Sequence, residues 1–276
     1  MPHSQDITPI VLTIAGSDSG GGAGIQADIK AISATGSYAC SVITAITSQN
    51  TLGVSAIHSI PLTHIESQLD AVFSDLNVVA VKIGMLADAA IITLVACKIQ
   101  QYAPKFLVID PVMVASSGDL LLAQDAISTL KKELIPMADL LTPNLPEGAA
   151  LVGKAVPQNE DDMGGMIEDL RALGAKAVLL KGGHLEHDVN SNDLLIQQQS
   201  SELLRAKRYN TPNTHGTGCT LSSAIASYLA QGNRLHKAVY LGKQYISQAI
   251  SHSDELEVGQ GHGPVHHFFP GHVNVR

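Results

Sequence analysis

The 276-residue sequence carries no Lys or Arg before Lys30. A secretory leader needs a positive start ahead of its apolar run, so IVLTIAG (residues 10–16) reads as a strand. No apolar run reaches the roughly 18 residues that a membrane span needs, and no membrane partner is expected. Cysteine is scarce. Cys40, Cys97 and Cys219 form no Cys-x-x-Cys pair, which fits a reduced, cytoplasmic protein. Cys40 and Cys97 lie in apolar segments and read as buried fillers. There is no long basic run. The densest cluster is Arg205, Lys207 and Arg208 in a chain of net charge -8, which argues against nucleic acid as a partner. No G-x-x-x-x-G-K-[ST] occurs, so a P-loop is excluded. Long polar, Gly/Ser or Pro linkers, internal repeats and low-complexity tracts are also missing, so residues 1–276 are expected to form one domain.

What is present is a globular composition, 45% hydrophobic and 15% charged. Strand-like runs alternate with helix-like segments. Strands are expected at 10–15, 40–47, 78–84, 106–110, 138–144 and 177–183. Helices are expected at 23–35, 63–75, 88–101, 160–173, 217–231 and 234–251. The runs 193–199 and 203–210 have nothing helical between them and read as a hairpin. Such alternation predicts an α/β fold, a mainly parallel sheet with helices on both faces. Ligands in such folds gather beyond the carboxyl ends of the strands.

Two glycine loops follow this rule. In the first, GSDSGGGAGIQADIK (16–30), residues 22–27 fit G-x-G-x-x-A. A dinucleotide site would need an acid about 20 residues on. No Asp or Glu lies between Lys30 and Ile65, and Asp18 and Asp28 within the loop and its helix would repel a pyrophosphate. Asp28 falls beside the Ile25/Ile29/Ile32 stripe. A carboxylate at that core edge must be paired or bonded. It either accepts from a neutral ligand or binds amides at the helix start. The second loop, HGTGC (215–219), opens a helix with Gly216 and Gly218 placed to wrap an anion. No Asp or Glu occurs between Glu202 and Asp254 to oppose a phosphate. Cys219 at a helix start is expected to have a lowered pKa and to serve as base or nucleophile. The alternative is a packed cysteine in a small turn.

Three further loops carry candidates. Asn144 and Glu147 suit a water-coordinated Mg²⁺, and suit a helix cap equally well. Lys181 follows a strand and can reach a nucleotide phosphate or simply be solvated. His184-x-x-His187 and His262/His266/His267 lack a spaced third ligand or paired cysteines, which disfavours zinc.

In combination, GSDSGGGAGIQAD (16–28), CSVITAITSQNT (40–51), KIGM (82–85), DPVM (110–113), SGD (117–119), TPNLPE (142–147), KGGH (181–184), NTHGTGCTLSSA (213–224) and EVGQGHGPVHHF (257–268) resemble the hydroxymethylpyrimidine/phosphomethylpyrimidine kinases of thiamine biosynthesis, in the ribokinase-like superfamily. The resemblance spans nearly the whole chain in order. It implies a ribokinase-like fold with a small or absent lid, and a homodimer. It implies ATP- and Mg²⁺-dependent phosphorylation of 4-amino-5-hydroxymethyl-2-methylpyrimidine to the monophosphate and then to the diphosphate. Asp28 and Gln49 match positions that hydrogen-bond the aminopyrimidine. Gly16, Met85 and Val112 match the pocket around it. Gly216, Thr217, Gly218 and Cys219 match the anion hole, with Cys219 where most of the superfamily carries an Asp base. Asn144 and Glu147 match the magnesium-linked motif, Lys181 a phosphate contact, and Asp110 an acid on the phosphate side. The family commonly reads Gly-x-Asp-Pro-Ser-Gly-Gly-Ala-Gly. Ser19 and Gly20 replace that Pro-Ser pair here, which is expected to loosen the loop. A pyridoxal kinase on the same scaffold, with dual activity, is the nearest rival. A non-catalytic binding protein is the rival from another class, and Cys219, Glu147 and Lys181 together speak against it.

Overall fold

The computed structural model describes residues 7–113, 124–185 and 189–269. Strand β1 (Ile10–Ala15) is buried on both faces and sits inside the sheet. Helix α1 (Gly24–Ala34) returns the chain to β2 (Tyr38–Ile43), which pairs parallel with β1. Residues 40–47, expected as one strand, instead divide between two sheets. After β2 the chain leaves the main sheet to form a hairpin of β3 (Ala45–Asn50) and β4 (Gly53–Ser59). Apolar periodicity cannot show such a change of partner. The hairpin stands where the resemblance implies a small lid, and is called the lid below.

Helix α2 (Leu62–Asp75) leads to β5 (Val78–Ile83), on the other side of β1 from β2. Helix α3 (Ala89–Tyr102) and β6 (Phe106–Ile109) follow. Helix α4 (Gln124–Thr129), a π turn over Leu130–Leu134 and a 3-10 turn over Ile135–Met137 precede the short β7 (Leu140–Leu141). Helix α5 (Leu145–Val152) comes next. The helix expected at 160–173 is broken at Gly164-Gly165 into α6 (Glu160–Gly164) and α7 (Ile167–Arg171), where glycine favours a break. Strands β8 (Ala177–Lys181), β9 (Asp193–Gln197) and β10 (Ser201–Leu204) complete the sheet, the last two as a hairpin as expected, although its second strand ends at Leu204 instead of running over 203–210. Helices α8 (Thr217–Ala230) and α9 (Leu235–Ser251) close the fold.

The eight-stranded sheet runs β10-β9-β8-β7-β6-β5-β1-β2 and is parallel except at β8-β9-β10. Successive side chains point to opposite faces. Leu12, Ile14, Val81 and Ile83 pack in one core with Ile65 of α2 and Ile91 of α3. Val11, Ala80 and Val108 pack in a second core with Ile32, Leu221 and Ile246 on α1, α8 and α9. Helices thus cover both faces, as the alternation predicts. No helix among the described residues is long and apolar enough to cross a membrane. Cys97 is exposed on α3 rather than buried, because it lies off the helix face that carries Ile91, Ile92, Val95 and Ile99. The SGD segment at 117–119 and His187 lie outside the described residues.

Candidate active site

The switch point of the sheet lies at β1, whose neighbours β2 and β5 are reached in opposite directions. The first glycine loop leaves β1 there and is organised by Asp18. That carboxylate accepts from the amides of Gly20 (2.8 Å), Gly22 (3.0 Å) and Ala23 (2.8 Å), and pairs with His215 Nε2 at 2.8 Å. Burial works against its ionisation, but the His215 bond and the amides outweigh this and hold it below the usual carboxylate value. Asp18 is therefore the loop's internal fastener. Ser19 tightens the loop further. Its hydroxyl donates to Gln49 O at 2.6 Å and accepts from Gln49 N–H at 2.8 Å. The expected loosening at Ser19-Gly20 is offset, because a serine hydroxyl makes lid contacts that proline has no group to make.

The second loop rests on the first. Gly216 caps α8 at φ 80°, and a Cβ there would lie 1.8 Å from Gly22 O, so only glycine fits. His215 turns its ring to Asp18. The segment 257–268 closes over both loops and the lid. The amides of Gln260 and Gly261 reach Thr51 Oγ1 at 3.2 Å, Gly263 N–H reaches Asn213 Oδ1 at 3.1 Å, and His215 bridges Pro264.

At Gly218 the charged groups converge. A Cβ there would stand 3.1 Å from Lys181 Nζ and 3.3 Å from Asp110 Oδ2. Lys181 donates to Asp110 Oδ1 at 2.8 Å, and Thr142 supports the same oxygen at 3.1 Å. Burial works to lower the Lys181 pKa, yet Asp110 and Glu147 more than offset it and keep the ammonium charged. Asn144 and Glu147 form a reciprocal capping box on α5, with both bonds at 2.8 Å. Burial pushes the Glu147 carboxyl up to about 7, against the pull of Lys181. Capping does not exhaust this carboxyl, which still lines the cavity.

Gly16, Gln49, Met85, Asp110, Val112, Asn144, Glu147, Lys181, Gly216, Thr217, Gly218 and Cys219 all border one cavity of about 840 Å³, a volume suited to small-molecule ligands. Two expectations are corrected. Asp28 does not border the cavity. It is wholly buried, and its oxygens receive Thr13 (2.6 Å), Ser223 (2.7 Å) and Lys82 (2.8 and 2.9 Å), which fills a carboxylate's lone pairs. Its core-edge place made pairing necessary, and the pairing is internal. The Cys219 thiol is not lowered. Burial, with Asp28 and Asp110, pushes it up to about 11 despite the opposing charge of Lys82. Sequence reasoning passed over Lys82, which borders the cavity. Its signal was a single lysine inside the otherwise apolar VVAVKI. It also passed over Lys243, bonded to Asp193 at 2.6 Å on the nearby wall, for which helix periodicity gave no signal.

The sequence pattern of the phosphomethylpyrimidine kinase family matches residues 18–266. A hydroxymethylpyrimidine/phosphomethylpyrimidine kinase of Rhizobium meliloti is 52% identical over 262 residues, covering 95% of this chain and 98% of its own. The phosphomethylpyrimidine kinase structure from Clostridium difficile superposes with a TM-score of 0.77 at 46% identity, over 88% of this chain and all of that one. The ADP complex of Bacillus subtilis pyridoxal kinase gives a TM-score of 0.87 at 36% identity, over 94% and 97% of the two chains.

Proposed function

The chain belongs to the phosphomethylpyrimidine kinase family, and from that premise we propose how its own residues carry out the family's reaction. The enzyme uses ATP to phosphorylate 4-amino-5-hydroxymethyl-2-methylpyrimidine to the monophosphate, and then to the diphosphate, in thiamine biosynthesis. The observation that carries the residue assignment is the convergence of Lys181 and Asp110 on Gly218, the residue before Cys219, at the cavity wall.

Phosphoryl transfer needs positioning and charge neutralisation more than covalent chemistry. The amides of Gly216, Thr217 and Gly218 at the start of α8 hold the transferring phosphoryl group. Lys181 neutralises charge on the nucleotide phosphates, with Asp110 fixing its ammonium. Gly16, Gln49, Met85 and Val112 hold the pyrimidine. Cys219 takes the hydroxymethyl proton as the alcohol oxygen bonds to the γ-phosphorus and the bond from that phosphorus to ADP breaks. Its thiol is mostly protonated at neutral pH, so turnover of the alcohol rises with pH.

Magnesium fits this site. Glu147 is a buried carboxylate beside the phosphate-facing Lys181, and Mg²⁺ keeps several waters and needs few protein oxygens. Glu147, oriented by Asn144, would hold the ion through water, and the ion would supply charge neutralisation on the triphosphate. Among the described residues no three His, Cys, Asp or Glu side chains gather as a metal cage. We also propose a single domain, a cytoplasmic location and a homodimer. Ile46, Leu52 and Ile57 expose apolar surface on the lid hairpin and would be covered in a dimer.

The second phosphorylation discriminates the role of Cys219. The monophosphate's attacking oxygen is already ionised near neutral pH, so that step needs no base. Cys219→Ala is expected to lower kcat on the alcohol by about 10²-fold or more while the monophosphate step falls far less. Near-normal kcat on the alcohol, with fold and ATP binding intact, would sink the assignment. A second activity on pyridoxal is favoured by the close superposition on the Bacillus subtilis pyridoxal kinase. ATP consumption with each alcohol, followed by product mass, tests it.

A further inference from the structure

Lys82 stands where the pleat of β5 places a core side chain. Ala80, two residues earlier on the same face, is fully buried in the core shared with α1 and α8. Lys82 is itself wholly buried and paired with Asp28 of α1. Asp28 is in turn bonded by Thr13 of β1 and Ser223 of α8. A buried ion pair is a poor substitute for apolar packing as a source of stability. Four bonds on one carboxylate do fix the lysine's charge at one place. Lys82 and Cys219 are both among the residues that line the cavity. Ser223 lies one helical turn beyond Cys219 on the same face of α8, which brings the Ser223–Asp28 bond to within about one turn of the thiol.

We propose that Lys82, fixed by Asp28, is a positioning residue that supplies the positive charge beside the Cys219 sulfur and so sets how readily that thiol ionises. Its consequence for turnover rests on Cys219 being the proton acceptor, but its effect on the sulfur is measurable without that. The charged groups around the thiol come from four elements: Asp28 from α1, Lys82 from β5, Asp110 beyond β6 and Lys181 ending β8. Lys82 favours the thiolate, whereas Asp28 and Asp110 oppose it. Lys181 responds to the same thiolate charge.

The test is iodoacetamide alkylation of the full-length protein across about pH 7 to 10, read peptide by peptide, with exposed Cys97 as internal reference. Lys82→Met is expected to slow Cys219 alkylation at a fixed pH on the order of tenfold, because one neighbouring charge moves a pKa by about a unit or more. Asp28→Asn is expected to speed it. Where Lys82→Met fails to fold, Lys82→Met/Asp28→Asn removes both charges, and its Cys219 must react more slowly than in Asp28→Asn alone. Unchanged rates, or shifts in the same direction for the two single variants, overturn the proposal. Near-normal turnover of Cys219→Ala would remove the thiol from the chemistry without altering the alkylation pattern, so the two failures are told apart.

Discussion

Glu147 caps α5 with one oxygen while its carboxyl lines the cavity, and the site use has a stability cost. Its folded pKa of about 7 lies above the ordinary 4.5. Between those values the folded chain holds a proton that the unfolded chain has released. Stability therefore falls as pH rises from about 4.5 to 7 and stays reduced above that. Glu147→Gln keeps the capping box, since glutamine serves at the same cap position, and removes the buried charge. The variant is expected to melt at a higher temperature than the parent at pH about 8, with the difference shrinking towards pH about 4.5. Its kinase activity is expected to drop sharply, with a weaker response to magnesium. Thermal melts at the two pH values and a magnesium titration check this. An equal melting temperature at both pH values would count against a strained carboxyl.

At the scale of elements, the lid is held by few groups. A register shift lies between Ser48 and Gln49 of β3, and the Ser19 hydroxyl serves both backbone groups of Gln49 at that point. The Gln49 side chain receives Thr47 Oγ1 at 3.1 Å and borders the cavity. Gln49→Ala is expected to raise KM for the pyrimidine by about tenfold, the equivalent of one well-placed hydrogen bond, with ATP parameters unchanged. Ser19→Ala is expected to move KM the same way by less, because it loosens the strand rather than removing the contact. Steady-state kinetics with each substrate varied in turn decide this. An unchanged pyrimidine KM in Gln49→Ala takes that residue out of the pocket.

For the whole molecule, the two cores lie on opposite faces of one continuous sheet. Neither can form alone, because β1, β5 and β6 contribute side chains to both. The segment 257–268 adds bonds from the lid tip at Thr51 to the turn at Asn213 and to His215. A single thermal transition is expected, with calorimetric and van't Hoff enthalpies agreeing at fixed protein concentration. Two separated transitions would divide the chain into independent units. Light scattering is expected to give the mass of a dimer, and Ile46→Asp/Ile57→Asp is expected to weaken it.

Much of this molecule is legible in its sequence. The apolar runs at 10–15, 78–84 and 177–183 specified sheet strands because a strand buried on both faces has few other places to go. Glycines after strands and before helices marked both site loops, because only glycine tolerates the approach that Gly216 makes to Gly22. Tertiary structure decided the partners. Asp28 required a partner by its place on α1, but that the partner is Lys82, 54 residues away, rather than a neutral ligand or the helix amides, depended on β5 lying beside β1. The helix start favoured a thiolate at Cys219, whereas burial among Asp28 and Asp110 reversed the sign. Local pattern fixes which groups must be satisfied. Only the packing of distant strands and helices fixes what satisfies them, because charge and desolvation act through space rather than along the chain.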